Sequence, residues 1–429
     1  MSEAAGKPAG KAAVKAAAWA GAALPAAPAL VKVPLWLLAL FTFSGTLAMH
    51  IFVPALPYAA TGLNASIAAV QLTISLYIAG LAVGQLIYGP LADRYGRRPI
   101  LMAGLSLYSA AGLAAAFAPG IEALIAARLL QALGGCAGLV LGRTMVRDTA
   151  LPEDAARRLA LMNLMVTIGP GLAPLLGSAL AATLGWRSIF YALSALGLAM
   201  LGLSWRLLPE TGAAAHRANA DARTLGRNYL SLLKSPVFLG YALGGGCATT
   251  SMYAYVAAAP FIFVHSLGRP AHEVGIYLAL LVAGIWTGSV LVSRLIRRMH
   301  LQRLMVFGNG LSVLAAGALM AAVLLGHLGV AWVVGCMFVF TLGAGLASPA
   351  ALTQAISVDP RVTGSASGLY GFTQMAVGAA CTALVGLGRD PLLAAAIVLL
   401  GACVLAQASF WWAARSARRA DRAAAPRSA

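Results

Sequence analysis

Apolar runs of about 20 residues recur along the chain, separated by short polar breaks. A hydrocarbon core takes that length of helix to cross. Only helices or closed barrels satisfy the backbone in lipid, and these runs lack the strict alternation of barrel strands. The pattern predicts twelve transmembrane helices, over roughly 34–57, 69–92, 100–118, 121–143, 159–183, 187–208, 236–263, 273–295, 303–325, 328–350, 362–387 and 391–414. One long polar stretch divides them six and six. The predicted organisation is a cytoplasmic tail over 1–33, a six-helix bundle over 34–208, a linker over 209–235, a second bundle over 236–414 and a basic tail over 415–429.

Charge then orients the spans. The chain carries a net +18 with only 10% charged residues. With the N-terminus in the cytoplasm, all of the 30 Lys and Arg fall on the cytoplasmic side except Arg128, Arg187, Arg269 and Arg389. This positive-inside bias puts both termini in the cytoplasm of an inner-membrane protein. The basic surplus is thus an orientation device beside anionic lipid, not a nucleic-acid surface. The Ala-rich N-terminal stretch resembles a signal peptide only weakly, because Pro25 and Pro28 interrupt it and Leu is sparse; a cytoplasmic tail is expected. All five cysteines fall inside predicted spans, with no CxxC or Cys/His spacing, so no disulfide, metal or cofactor is expected.

The two halves carry a degenerate repeat. "GQLIYGPLADRYGRR" begins at Gly84 and "GSVLVSRLIRRMHLQ" at Gly288, with Asp93 facing Arg297 and Arg158 facing Val362 at the same offset. Such repeats are a transporter architecture with the substrate site between the halves at the midplane. Residues 84–101, "GQLIYGPLADRYGRRPIL", resemble the signature loop of the major facilitator superfamily through Gly84, Gly89, Asp93, Arg94, Gly96, Arg97 and Arg98. "LIAARLLQALGGCAGLVLGRTMVRD" is similar to that family's fourth-helix motif, with Arg128 as its buried arginine. "IGPGLAPLLGSAL" is similar to the Gly-Pro motif of antiporter fifth helices. "FVPALP", "GWRSIF", "YVAAAPFIF" and "GSASGLYGFTQM" resemble segments of the bicyclomycin-resistance (Bcr/CflA) drug:proton antiporter branch. The resemblance implies an all-α fold of two pseudo-symmetric six-helix bundles and a proton-driven drug exporter.

Arg128 lies about seven residues into span four, roughly 10 Å below its outer end. A charge at that depth faces the bundle interior or a wet cavity. It is either a structural arginine or a coupling and substrate-holding one. Gly169, Pro170, Gly171 and Pro174 suit a bend in the fifth helix where the halves meet, although Gly and Pro are also common in membrane helices.

None of the 12 Asp and Glu sits at a span's midpoint; Glu122, at the outer mouth of span four, comes nearest. In "TLAMHIFVPALP", His50 stands where relatives of the resembling branch commonly carry an Asp. Histidine's ordinary pKa, about 6.5, lies in the physiological range. Three readings of His50 stand: a proton carrier, a polar cavity contact in a differently coupled carrier, or an inert buried histidine. Tyr77, Asn163, Tyr253, Tyr255, Trp286, Tyr370 and Gln374 are candidate substrate contacts within spans. With no acidic cavity residue in view, Arg128 favours neutral or anionic solutes. No Walker-type loop and no clustered catalytic set is present, which argues against ATP-driven transport and against an enzyme. The expected function is secondary active export of drugs or small amphiphiles by alternating access, with proton antiport at His50. The alternatives are a carrier of one metabolite without coupling at His50, and a transporter-like sensor. The expected partners are a small-molecule substrate, protons and the bilayer, around a monomer.

Overall fold

The computed structural model describes residues 33–150, 152–211, 222–295, 298–326, 328–359 and 362–424. The N-terminal tail, Arg297, Arg361, the middle of the linker and the last five residues lie outside them, as does the side chain of Asn163. The first span is α1 (Leu35–Ile51), a 3₁₀ turn (Val53–Ala55) and α2 (Leu56–Gly62). Then come α3 (Ile67–Tyr95), α4 (Arg97–Ala116), α5 (Ile121–Asp148), α6 (Pro152–Leu184) and α7 (Arg187–Leu207). The second half holds α9 (Pro236–Thr250) with α10 (Met252–Phe261), then α11 (Val274–Leu295), α12 (Leu301–Leu324), α13 (Val330–Ile356), α14 (Thr363–Gly386) and α15 (Pro391–Ala424). Among the described residues, eleven helical segments are long and apolar enough to cross a bilayer. The remaining expected span is α6, a continuous helix whose described apolar part is Gly169–Leu184.

The expected polar linker is not irregular throughout. It contains α8 (Ala222–Leu233), in which apolar residues recur at helical spacing among Arg223, Arg227 and Asn228. Leu232 is buried while Leu230 and Leu233 are exposed. Tyr229 reaches the start of α14, its hydroxyl in van der Waals range of the Gly368 position. At 12 residues and with this many polar positions, α8 is too short and too polar for the span pattern to predict.

Small residues bring the helices together, as expected where lipid supplies no hydrophobic drive for helix association. α5 is the hub of the first half and packs on α1, α3 and α4. At Gly138 a Cβ would collide with the Phe41 carbonyl of α1, so only glycine permits that crossing. In the second half α13 plays the same part against α9, α11 and α12. The halves meet along two seams, α3 on α14 and α6 on α11. A side-chain bond from Gln71 Nε2 to the Ala257 carbonyl (3.4 Å) also crosses between them. Leu184, Leu314 and Leu324, each more than 70% exposed, belong to an outward apolar surface suited to acyl chains.

Candidate functional site

The first span of each half is interrupted. Pro54 and Pro57 lack the amide donors a continuing helix needs, and the chain passes from α1 through a 3₁₀ turn to α2. In the second half α9 stops at Thr250 and resumes at Met252, and Pro260 precedes a π-helical turn at Ile262–Ser266. Interrupted helices at corresponding positions of two repeats point to the substrate site. A cavity of about 210 Å³ lies there, walled by α1, α6, α10 and α11. Its polar groups come from Thr46, His50 and Tyr253; Val166, Pro170, Pro174, Met252, Val256, Leu278, Leu281, Val282 and Ile285 make the rest. It is smaller than a site for a drug-sized ligand, which takes about 300–1,000 Å³.

His50 is 5% exposed, and its Nδ1 lies 2.8 Å from the Thr46 carbonyl one turn back. A carbonyl only accepts, so Nδ1 carries the hydrogen and Nε2 is left to accept one. Tyr253 meets the imidazole edge-on, ring centroids 6.0 Å apart. Of the predicted site residues, the structure therefore brings together His50, Tyr253, Pro170 and Pro174.

Arg128 is not on this wall. It is fully buried in the first half, with Nη1 donating to Gln131 Oε1 at 2.7 Å. Its guanidinium carbon sits 4.0 Å from the Tyr77 ring centroid, 5.3 Å from Phe52 and 5.7 Å from Phe190. An aromatic box thus holds the charge through ring faces, and among the described residues neither Nε nor Nη2 has a hydrogen-bond partner. Phe52 lies two residues beyond His50, on the other side of the helix. Depth alone suggested that Arg128 and His50 share a cavity; the rotation of α1 separates them. Tyr77 likewise does not line the cavity, lying under Arg128 with its hydroxyl donated to the Gly45 carbonyl at 2.8 Å. Phe52, Phe190 and Gln131 were missed; the spacing of Gln131 three residues after Arg128 was the one available signal.

The other candidates scatter. Gln374 joins α14 to α9, donating to Thr249 Oγ1 at 2.8 Å and accepting from Thr250 at its carbonyl at 2.6 Å. Tyr370 and Tyr255 are buried away from the cavity, Tyr370 pressed against Gly245. Trp286 is 43% exposed and does not line the cavity, although Ile285 beside it does. Glu122 is exposed in the first turn of α5, where a carboxylate suits the positive end of the helix. The Gly-Pro motif divides by face. Gly169 admits the Phe43 ring and Gly177 the Ile51 carbonyl, both in α1, while Pro170 and Pro174 face the cavity and Gly171 meets Val282 of α11. The prolines lie within continuous helix, so the expected bend is not a break in α6.

The signature loop is a tight corner. Gly84 lies against Cys136, whose Cβ would stand 2.6 Å from a Cβ placed there; Gly89 has open space. Arg94 covers Tyr95. Gly96 turns the chain at φ +100°, a conformation that favours glycine. Arg97 then bridges Asp93 (2.6 Å) and Asp148 of α5 (3.0 Å). Glu210, just after α7, accepts from the Arg97 and Arg98 amides at 2.8 and 3.2 Å, and Arg98 donates to the Trp205 carbonyl at 2.9 Å. The loop thereby ties α3, α4, α5 and the end of α7 within the first half. Glu210, which caps the first turn of α4, was not anticipated.

Residues 38–383 match the family model described as Major Facilitator Superfamily. The chain belongs to the major facilitator superfamily. It is a membrane transporter, not an enzyme, with that family's helical fold. It is 26% identical over 358 residues to the "Bicyclomycin resistance protein homolog" of Haemophilus influenzae, covering 83% of this chain and 89% of that one. It is also 26% identical over 340 residues to the "Multidrug transporter MdfA" of Yersinia pestis, covering 79% and 83%. Among solved structures, a bacterial homolog of the human lysosomal transporter Spinster, inward-facing and unoccupied, superimposes with a TM-score of 0.70 at 16% identity, covering 90% and 97%.

Proposed function

We propose that this transporter is a secondary active exporter of small amphiphilic molecules, drugs among them, working by proton antiport with His50 as the proton carrier. The reading is carried by one observation: the interrupted first spans of the two halves enclose a cavity with His50 in its wall and no carboxylate. The similarity to a bicyclomycin resistance protein homolog and to a multidrug transporter supports the substrate class. The Thr46 bond fixes Nδ1, so Nε2 is the nitrogen that takes a proton from the outside and yields it inside. A substrate hydroxyl or amide donating to the same Nε2 would exclude that proton, and exclusive occupancy is what exchange requires. The protein acts as a monomer in the inner membrane with both termini in the cytoplasm, in keeping with the placement of its Lys and Arg. Arg128 and Glu122 act on coupling from outside the cavity, and Asp93, Arg97 and their loop stabilise one conformational state.

The second reading is favoured by the mainly apolar wall around His50. There the imidazole is a neutral polar contact and transport is not proton-coupled at this residue. Transport in vesicles with an imposed pH gradient decides between them. His50→Gln keeps polarity without titrating, and is expected to lose gradient-driven accumulation while keeping downhill exchange. Undiminished accumulation by this variant would assign coupling elsewhere, with Glu122 next to test.

A further inference from the structure

A second cavity, of about 520 Å³, lies beyond the first along the same two elements. Ala181, two turns past Pro174 on α6, and Phe261, more than a turn past Val256 on α10, stand in its wall. Roughly 7–10 Å of packed helix therefore separates it from the cavity at His50. That plug is tight: Gly177 meets the Ile51 carbonyl, and Gly275 of α11 meets the Pro174 carbonyl and Ser178 of α6. The rest of the wall comes from the ends of spans and the stretches that connect them. Tyr58 and Thr61 lie in α2, Trp186 between α6 and α7, His265 in the π-helical turn and Ala271 just before α11. The cavity thus sits at the outer end of the bundle, not at its midplane, and both halves build it. Trp186 is buried and meets Phe190 edge-on, ring centroids 6.1 Å apart. A Cβ at Gly62 would stand 2.8 Å from the Trp186 Nε1, so glycine leaves that edge of the indole clear. The π-helical turn, a feature that recurs at functional sites, carries His265 flat against Phe261 with centroids 5.9 Å apart. Among the described residues, no Asp, Glu, Lys or Arg lines this cavity. The charges that flank its wall in sequence are engaged elsewhere: Arg187 donates to the Ala116 and Ala118 carbonyls at 3.1 and 2.9 Å, and Arg269 pairs with Glu273 at 2.9 Å.

We propose that this outer cavity binds uncharged aromatic solutes bearing a hydroxyl or amide, and that an occupied cavity holds the outer end of the carrier closed. Its volume falls within the range for a drug-sized ligand, which the cavity at His50 does not reach. The rings of Tyr58, Trp186, Phe261 and His265 offer apolar and stacking surface, and a few polar groups set orientation. Thr61 Oγ1 donates to the Pro57 carbonyl at 3.1 Å, which leaves its lone pairs to accept from a solute. A charged solute would give up hydration here without meeting an opposite charge. Outward opening rocks one half against the other. It would carry Tyr58, Thr61 and Trp186 away from Phe261, His265 and Ala271, so a solute touching both walls favours the closed state and shifts the equilibrium toward it. The inference goes beyond the exporter reading and stands whether or not His50 carries the proton.

The test is photolabelling of the purified full chain in lipid nanodiscs with para-hydroxymethylbenzophenone, against para-carboxybenzophenone as the charged match, with the labelled residues mapped by mass spectrometry. The neutral probe is expected to label saturably on both walls, in the peptides holding Thr61 and His265, at concentrations about tenfold below those the carboxylate needs. Ala271→Trp fills the cavity from one wall and Thr61→Trp from the other; whichever variant folds should lose saturable labelling, while Ala271→Ser keeps it. Closure is read from Ser178→Cys, whose side chain lies in the plug against Gly275. Its rate of reaction with a membrane-impermeant maleimide, taken above that of the unsubstituted chain, should fall by up to about tenfold with the neutral probe at about ten times its dissociation constant. The carboxylate at the same concentration should leave that rate unchanged. The proposal is overturned if labelling does not saturate or falls on the outward apolar surface around Leu314 and Leu324, if the filled variants label as the wild type does, if both probes label alike, or if the neutral probe leaves the Ser178→Cys rate unchanged or raises it.

Discussion

Replacing Arg128 with Met tests how a buried, carboxylate-free cation is held. Met fills similar volume without charge. Arg128 loses its stacking on Tyr77 at 4.0 Å, a desolvated contact of about 2 kcal/mol, and two longer contacts of about 0.5–1 kcal/mol each. Against that stands the cost of keeping an ion out of water, several kcal/mol after relaxation. These two nearly cancel. What remains is the orphaned Gln131 Oε1, whose missing donor costs about 1–3 kcal/mol. Arg128→Met should therefore destabilise by about 2 kcal/mol, and adding Gln131→Leu should restore at least half of it. Unfolding of the purified protein in mixed micelles, followed by circular dichroism for both singles and the double, gives the cycle. A double variant less stable than Arg128→Met alone would show that the ring contacts, not the Gln131 bond, carry the stabilisation. If transport stays absent in the restored double, the charge itself is needed for function.

Asp93→Asn removes one arm of the Arg97 bridge at a site where the Asp93 side chain is 40% exposed, so stability should change by less than about 1 kcal/mol. Transport normalised to expression should nonetheless fall severalfold; a normal rate would reduce the loop to a topology signal. Glu210→Ala strips the cap from the start of α4 and should cost about 1 kcal/mol in the same micelle unfolding assay, with Glu210→Asp intermediate. Gly177→Ala drives a methyl into the Ile51 carbonyl, which cannot move aside, whereas Gly169→Ala meets the Phe43 ring, which can. Folded yield by size-exclusion fluorescence should drop far more for Gly177→Ala, and Phe43→Ala should rescue Gly169→Ala only; equal losses would refute the contrast.

The spans were legible because length and hydropathy alone decide what crosses lipid, and the signature loop because its glycines and charges sit at fixed spacing. His50 and Tyr253 were legible as polar residues in apolar runs. The grouping of side chains was not, because depth along a helix says nothing of rotation about its axis. Arg128 and His50 were given similar depth, yet one faces an aromatic box and the other the cavity. Tyr77, Tyr370 and Gln374 satisfied the same description as Tyr253 and turned out to pack helices. The Gly-Pro motif was legible as a whole, but its division between α1 and the cavity depends on which neighbour each residue meets. Glu210 gave no local signal, since its partners are backbone amides more than a hundred residues away.

That long-range cap bears on where the polypeptide can be cut. Glu210 precedes the middle of the linker and grips the beginning of α4, so a fragment ending shortly after it keeps its own corner closed. The other fragment, beginning at α8, brings Tyr229 already seated beside its own α14. A break placed between the two leaves each of these anchors with the helices it serves. Co-expressed as separate polypeptides, the halves would have the α3–α14 and α6–α11 seams and the contacts of α10 with the first span and α3 to form, in the plane of the membrane.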